Sequence, residues 1–276
     1  MVVHLPAPRI WKVTHGASTL YIVGRIGLLP SGVQWNKAPI EKIMDHADRF
    51  IVPSYVTMSG IGELWGRYLP LGRELDDELS DSTRAKLDAL LERLHRSPRS
   101  LDRFKAAPAA YEILSLLPGG RNVLGDEPLA SLRSLAERKN LEVTEAFHGN
   151  GKPLLAALDA TPEDRGLEIL DKAIDQADDY LDHAGEFDDA WRKGDLDAIR
   201  QGQRHRPNPM TVMTAAPEAQ ADMNRQEHDR FLDAVEAALA KPGVTVTVYG
   251  VDELRSNGAF LTKLRADGYA VTEPGS

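Results

Sequence analysis

The chain contains no cysteine, which excludes disulfides, thiolate zinc sites and cysteine nucleophiles and leaves the redox state of its compartment open. Long apolar runs are also missing. Nothing approaches the roughly 18 consecutive apolar residues that a membrane span requires, and the opening MVVHLPAPRIWKV lacks a basic segment followed by an apolar one. As written, the sequence predicts a cytoplasmic protein, or a periplasmic one if a signal peptide has been removed. There is no Gly-x-Ser-x-Gly elbow, no Gly-x-Gly-x-x-Gly and no Gly-x-x-x-x-Gly-Lys-Ser/Thr, so a serine hydrolase and the common nucleotide-binding loops have no support. An excess of positive charge is absent too: 33 Lys and Arg against 42 Asp and Glu give −9, with residues 1–122 at +3 and 123–276 at −12. Nucleic acid is therefore excluded as an expected partner, because phosphate-backbone binding needs a basic surface that releases counterions.

What is present suffices for a folded core. Of 276 residues, 42% are hydrophobic and 27% charged, a globular composition with no case for disorder. Arg9–Val13 and Thr19–Val23, joined at His15-Gly16-Ala17, read as a β-hairpin whose second strand stops at Gly24. Pro39 opens a helical pattern through Ile40, Ile43, Met44 and Ala47, and Phe50-Ile51-Val52 follows as a buried strand. Such a β-α-β order favours a parallel arrangement.

From about Asp81 to Arg206 the signal is almost wholly helical, with stripes through Leu87 to Leu94, Ala109 to Leu117, Leu129 to Ala136, Leu167 to Leu181 and Phe187 to Ile199. A short strand is expected at Leu141 to Thr144. Asp175, Asp178, Asp179 and Asp182 read as a solvated helix face and not as a calcium site. A further helix is expected from Pro217 to Leu239. Val244 to Tyr249 alternates strictly and stops at Gly250; a helix from about Asn257 to Arg265 and a last strand at Tyr269 to Thr272 complete the chain. The expected fold is one α/β domain over 1–276: a central, mostly parallel mixed sheet made from an N-terminal unit (9–55) and a C-terminal unit (244–273), with a large helical insertion (81–206) between them.

Both end units offer a strand that terminates in glycine and a four-residue loop, Gly24-Arg25-Ile26-Gly27 and Gly250-Val251-Asp252-Glu253. In open α/β sheets, ligands gather beyond the carboxyl ends of such strands. With Trp11, Ser18-Thr-Leu-Tyr-Ile-Val-Gly24, Gly27-Leu-Leu-Pro30, Asp48-Arg-Phe-Ile-Val52, Ala190-Trp-Arg-Lys-Gly-Asp-Leu196, Met223-Asn224, Gly250 to Leu254 and Leu264 to Val271 in this order, the chain resembles the TraB/GumN family, to which the TIKI metalloproteases belong. The resemblance implies an erythromycin esterase/ChaN-like fold. It also implies a divalent-metal hydrolase centre built from two Gly-x-x-His motifs and a glutamate.

This chain departs from that pattern at the metal positions. Gly27 stands where the first histidine is expected, Pro53 where the glutamate is expected, and Glu253 where the second histidine is expected; Met223 replaces the arginine of an Arg-Asn pair whose Asn is Asn224. Glycine and proline bring no side-chain donor, so two of three metal contacts are lost. No catalytic residue and no cofactor is expected, and Glu253 is a weak candidate for metal. The implied protein has lost metallohydrolase activity and keeps a cleft, lined by Arg25, Asn224, Asp126, His228, Asp252 and Glu253, for an unknown small molecule, peptide or protein. Arg25 is expected either to pair with Asp252 or Glu253 or to recognise a ligand. The alternative is an active peptide or ester hydrolase that uses manganese, cobalt, zinc or magnesium through relocated ligands among Glu253, Asp126, Glu145 and His228. Asp126 otherwise caps a helix, and Glu145 and His148 are otherwise solvated. A third possibility is an interaction module that uses the helical insertion, as a homodimer.

Overall fold

A computed structural model describes residues 8–25, 35–57, 66–117, 128–205, 207, 217–251, 253–254 and 258–274. The opening hairpin forms as its sequence dictates: β1 (Ile10–His15) and β2 (Ser18–Arg25) pair antiparallel from Ile10 opposite Val23 to His15 opposite Ser18, and Gly16 takes the positive φ that the tight turn needs. The chain then passes α1 (Ala38–Met44), which starts with Pro39 in its first turn and buries Ile40 and Met44, and enters β3 (Arg49–Val52).

The main sheet has six strands. Its order is β5 (Glu142–Glu145), β3, β7 (Gly243–Gly250), β2, β1, β8 (Ala270–Thr272). The first four are mutually parallel, while β1 runs against both β2 and β8. The sheet is therefore mostly parallel and mixed, as expected, and its two end units meet directly: β2 and β7 are paired from Ser18 opposite Gly243 to Arg25 opposite Gly250. A second sheet, unforeseen in the sequence, joins β4 (Tyr55–Thr57) to β6 (His148–Asn150) in parallel.

The run Val244 to Tyr249 alternates Val and Thr before its final Tyr. In the structure β7 is central and both faces are covered, with Thr245 1% and Thr247 0% exposed. Their hydroxyls are tolerated because each has a partner: Arg49 Nε donates to Thr245 Oγ1 at 3.1 Å, and Thr247 Oγ1 donates to the Ile51 carbonyl at 2.8 Å. Alternating Val and Thr here marks β-branched packing between two layers and not amphipathicity.

The insertion carries α2 (Asp81–Arg93), capped by Ser80 accepting from Thr83 N, α3 (Ala106–Leu116), α4 (Leu129–Arg138) and α5 (Lys152–Asp159). The stripes at Leu167–Leu181 and Phe187–Ile199, expected as separate, merge over most of their length into a single continuous helix. α6 spans Glu163–Lys193 and closes at Gly194 with φ +66°, after which α7 (Leu196–Gly202) begins. The helix α8 (Pro217–Leu239) and the short α9 (Ala259–Ala266) lie where the periodicity places them.

Buried side chains fall into two clusters. One surrounds the main sheet and contains Trp11, Phe50, Trp191, Phe231, Val246, Tyr249 and Phe260; the other lies within the insertion and is made by α2, α3 and the first half of α6. The second half of α6 turns from the second cluster to the first, since Tyr180 packs in the helical one and Trp191 in the sheet one.

Candidate functional site

The parallel pairing places the carboxyl ends of β5, β3, β7 and β2 along one edge. Val52 lies opposite Glu145, Ile51 opposite Thr247, and Gly24 opposite Tyr249. Strands in such a sheet are about 4.8 Å apart. The three positions singled out in the sequence therefore follow three adjacent strands: Gly27 after β2, Pro53 after β3 and Glu253 after β7. Pro53 is buried immediately after Val52, and Glu253 is exposed in the turn after Gly250. Gly27, Asp126 and Asp252 lie outside the described residues.

The tip of β2 is shaped by close approach. A Cβ on Gly24 would stand 2.7 Å from Trp11 Cζ3 and 2.8 Å from Val251 Cγ1, so only glycine fits between the indole and the loop after β7. The Gly24 carbonyl accepts a hydrogen bond from Trp191 Nε1 at 3.3 Å, and the Arg25 carbonyl accepts one from Val251 N at 2.9 Å. The two glycine-ended loops are thereby fastened to each other.

Arg25 ends β2 half-buried. Its Nε is enclosed and has no hydrogen-bond partner, and among the described residues its guanidinium makes no ion pair, Glu253 included. Pairing with Glu253 is therefore not seen, while Asp252, the other expected partner, lies outside the described residues. The Arg25 charge acts on Tyr249, the last side chain of β7, which is stacked on Phe231 at 4.3 Å between ring centroids and tilted against Phe260 at 4.9 Å. Its phenol titrates well above the ordinary 10.0, first because burial disfavours the phenolate and then because Glu253 and Glu227 add negative charge, with Arg25 opposing them.

His228 on α8 places Nδ1 3.2 Å from Tyr249 Oη. The phenol hydroxyl can donate to or accept from this ring nitrogen, according to the imidazole tautomer. Asn224, one turn earlier on the helix, is exposed. Glu145 is engaged by Arg133, whose Nη2 donates to Oε1 at 3.0 Å, and lies 3.8 Å from His148 Nδ1. The edge thus gathers Arg25, Glu253 and His228 around a tyrosine. Neither the Tyr249 phenol nor Glu227 is among the residues that sequence reasoning singles out. The one aromatic in Val244 to Tyr249, placed directly before Gly250, is the signal that points to the phenol; Glu227 has none beyond adjacency to His228.

Chemically this arrangement offers a cation with an unused N–H, a neutral phenol coupled to an imidazole, and two carboxylates. It suits the recognition of a charged polar group at a half-dry surface.

A mostly parallel sheet entered by an N-terminal hairpin, closed by a C-terminal strand and interrupted by a helical insertion defines a mixed α/β protein. The sequence model of the TraB/PrgY/gumN family matches residues 9–273, and the chain belongs to that family. No curated protein and no solved structure matches it significantly. Among the described residues no helix is long and apolar enough to cross a membrane.

Proposed function

We propose that this member of the TraB/PrgY/gumN family binds an anionic ligand or partner segment at the strand-end cleft and does not carry out metal-dependent hydrolysis there. The supporting observation is a juxtaposition at the strand tips: Pro53, which has no donor, ends β3, and two strands away Arg25 keeps a buried Nε without a partner. A guanidinium in that state is stabilised by an incoming carboxylate or phosphate, which supplies a charge-assisted hydrogen bond. Tyr249 adds a protonated hydroxyl beside it, and Glu253 and Glu227 favour ligands that carry a positive or donor group next to the anion.

An active hydrolase with relocated ligands has less support. One exposed carboxylate at Glu253 leaves most of a coordination sphere to water, Glu145 is held by Arg133, and His228 is held by Tyr249.

Thermal-shift titrations with inorganic phosphate, citrate and a hexaglutamate peptide test the reading. Stabilisation by at least one of these in the native protein, reduced about tenfold or more in apparent affinity by Arg25→Gln, is the expected result. Identical responses of native protein and Arg25→Gln, or hydrolysis of peptides or esters that depends on manganese, cobalt or zinc and disappears in Glu253→Ala, overturn it.

A further inference from the structure

Far from the sheet edge, Asp179, His183 and His205 come together on the second half of α6. Asp179 and His183 are four residues apart on one helix face, and His205 reaches them from the 3-10 turn Gln203–His205 that follows α7. One ligand atom from each lies within 4.8 Å of the other two. His205 Nδ1 is 2.8 Å from Asp179 Oδ2, and His183 Nδ1 is 3.5 Å from Asp179 Oδ1. The two imidazoles are stacked, 3.8 Å between centroids and 16° between planes. Asp179 is exposed and both histidines are half-buried, so the group is open to solvent.

We propose that Asp179, His183 and His205 form a binding site for a borderline divalent cation of the zinc, cobalt, nickel or copper class. The site is independent of the strand-end cleft. Its helix residues Asp179 and His183 stand about 18 Å and about 12 Å along α6 from Trp191, the helix residue that touches the tip of β2, at about 1.5 Å per residue. Two imidazoles and one carboxylate are the donor set such ions prefer, whereas magnesium and calcium require mostly oxygen.

The spacing is close to what the ion needs. Ligand atoms around a tetrahedral zinc stand about 3.4 Å apart, which follows from metal–ligand bonds near 2.0–2.2 Å. The separations at Asp179 bracket that distance. Because the rings are nearly parallel, closure requires one imidazole to turn about χ2, a soft torsion. In the metal-free arrangement His205 Nδ1 shares a proton with Asp179 while Nε2 accepts from Arg204 Nε at 2.9 Å, and His183 Nδ1 is 2.8 Å from its own helix carbonyl at Asp179. Coordination through Nδ1 moves the ring proton to Nε2, leaving the imidazole neutral. Arg204, both a donor to Nε2 and a cation, then opposes the ion. The bound ion would staple the turn at Gln203–His205 to α6 and keep at least one position for water.

Isothermal titration of the chelator-stripped protein with zinc and with cobalt, the latter read also by its visible absorption, provides the test. The expected result is one ion per chain, with affinity at least about tenfold lower in His205→Gln and in Asp179→Asn, higher in Arg204→Ala, and unchanged in Glu253→Ala. A purely structural cluster would not gain affinity when Arg204 is shortened. Absence of saturable binding overturns the proposal. So does binding that is indifferent to His205→Gln and Asp179→Asn, or that is lost in Glu253→Ala. The last outcome would instead restore a metal to the strand-end cleft, so the two readings fail separately.

Discussion

Trp191 Nε1 donates to the carbonyl of Gly24 across 167 residues of sequence, and this buried hydrogen bond fixes the end of α6 against the tip of β2. The bond matters because the Gly24 carbonyl lies at the carboxyl end of β2 and the donor comes from the insertion. Trp191→Phe removes the donor and leaves a buried carbonyl unpaired, which is expected to cost about 1–3 kcal/mol in urea unfolding. Gly24→Ala is expected to cost at least as much, since its Cβ would overlap Trp11 and Val251. Chemical denaturation of both variants measures the two costs. Wild-type midpoints for both would mean that α6 is not seated on β2.

A second anchor lies at the start of β7. Gly243 has φ +124°, and a Cβ there would collide with Asp48, whose Oδ2 accepts from Val244 N at 2.7 Å. Gly243→Ala is expected to destabilise the protein by more than about 1 kcal/mol, because strain and the displaced carboxylate act together. Asp48→Asn, which retains an acceptor, is expected to cost less. Thermal unfolding of the pair in parallel checks the order.

The buried phenol of Tyr249 predicts a pH dependence. Its folded pKa is raised above 10.0, so in alkali the unfolded chain ionises first, the folded state binds more protons, and stability falls as pH rises through and beyond the unfolded value. Below that value the residue contributes no slope. Tyr249→Phe is expected to lose less stability than the native protein between about pH 9.5 and 11, as read from urea midpoints at each pH. Equal slopes would mean the phenol is not buried as the structure has it.

Restoring the family pattern is a constructive test of the strand-end geometry. Gly27→His, Pro53→Glu and Glu253→His together, in a His183→Ala, His205→Gln background, are expected to create cobalt binding that the background lacks, because the three positions follow three adjacent parallel strands. Calorimetry reads the gain. No gain in a folded protein would show that the three loops do not converge.

The sheet and most helices are legible in the sequence because their signals are local. The hairpin at Gly16, the helix opened by Pro39 and the run Val244 to Tyr249 each show through turn chemistry or period. What the sequence obscures depends on partners distant in the chain. The burial of Thr245 and Thr247 rests on Arg49 and on the Ile51 carbonyl, nearly two hundred residues away. The merging of two helical stripes into α6 has another source: nothing breaks the helix between Leu181 and Phe187, and Gly185 is accommodated with open space where a Cβ would be. Within the site, Arg25, His228 and Glu253 are legible from their places beside strand-end glycines and on a helix, whereas Tyr249 reads as one more strand residue. Asp179 reads as a solvated face, and its stacked histidine neighbours are invisible because His205 lies 22 residues beyond His183 in sequence.

The most direct measurement is a cobalt titration of the His183→Ala, His205→Gln protein with its native strand-end loops, followed by calorimetry at micromolar ion. With the helical cluster disabled, a cleft that relies on Arg25 and has Pro53 at the β3 tip should give no saturable heat. A stoichiometric ion that disappears on Glu253→Ala would show instead that the strand ends still hold a metal, and the ligand-binding account would fail.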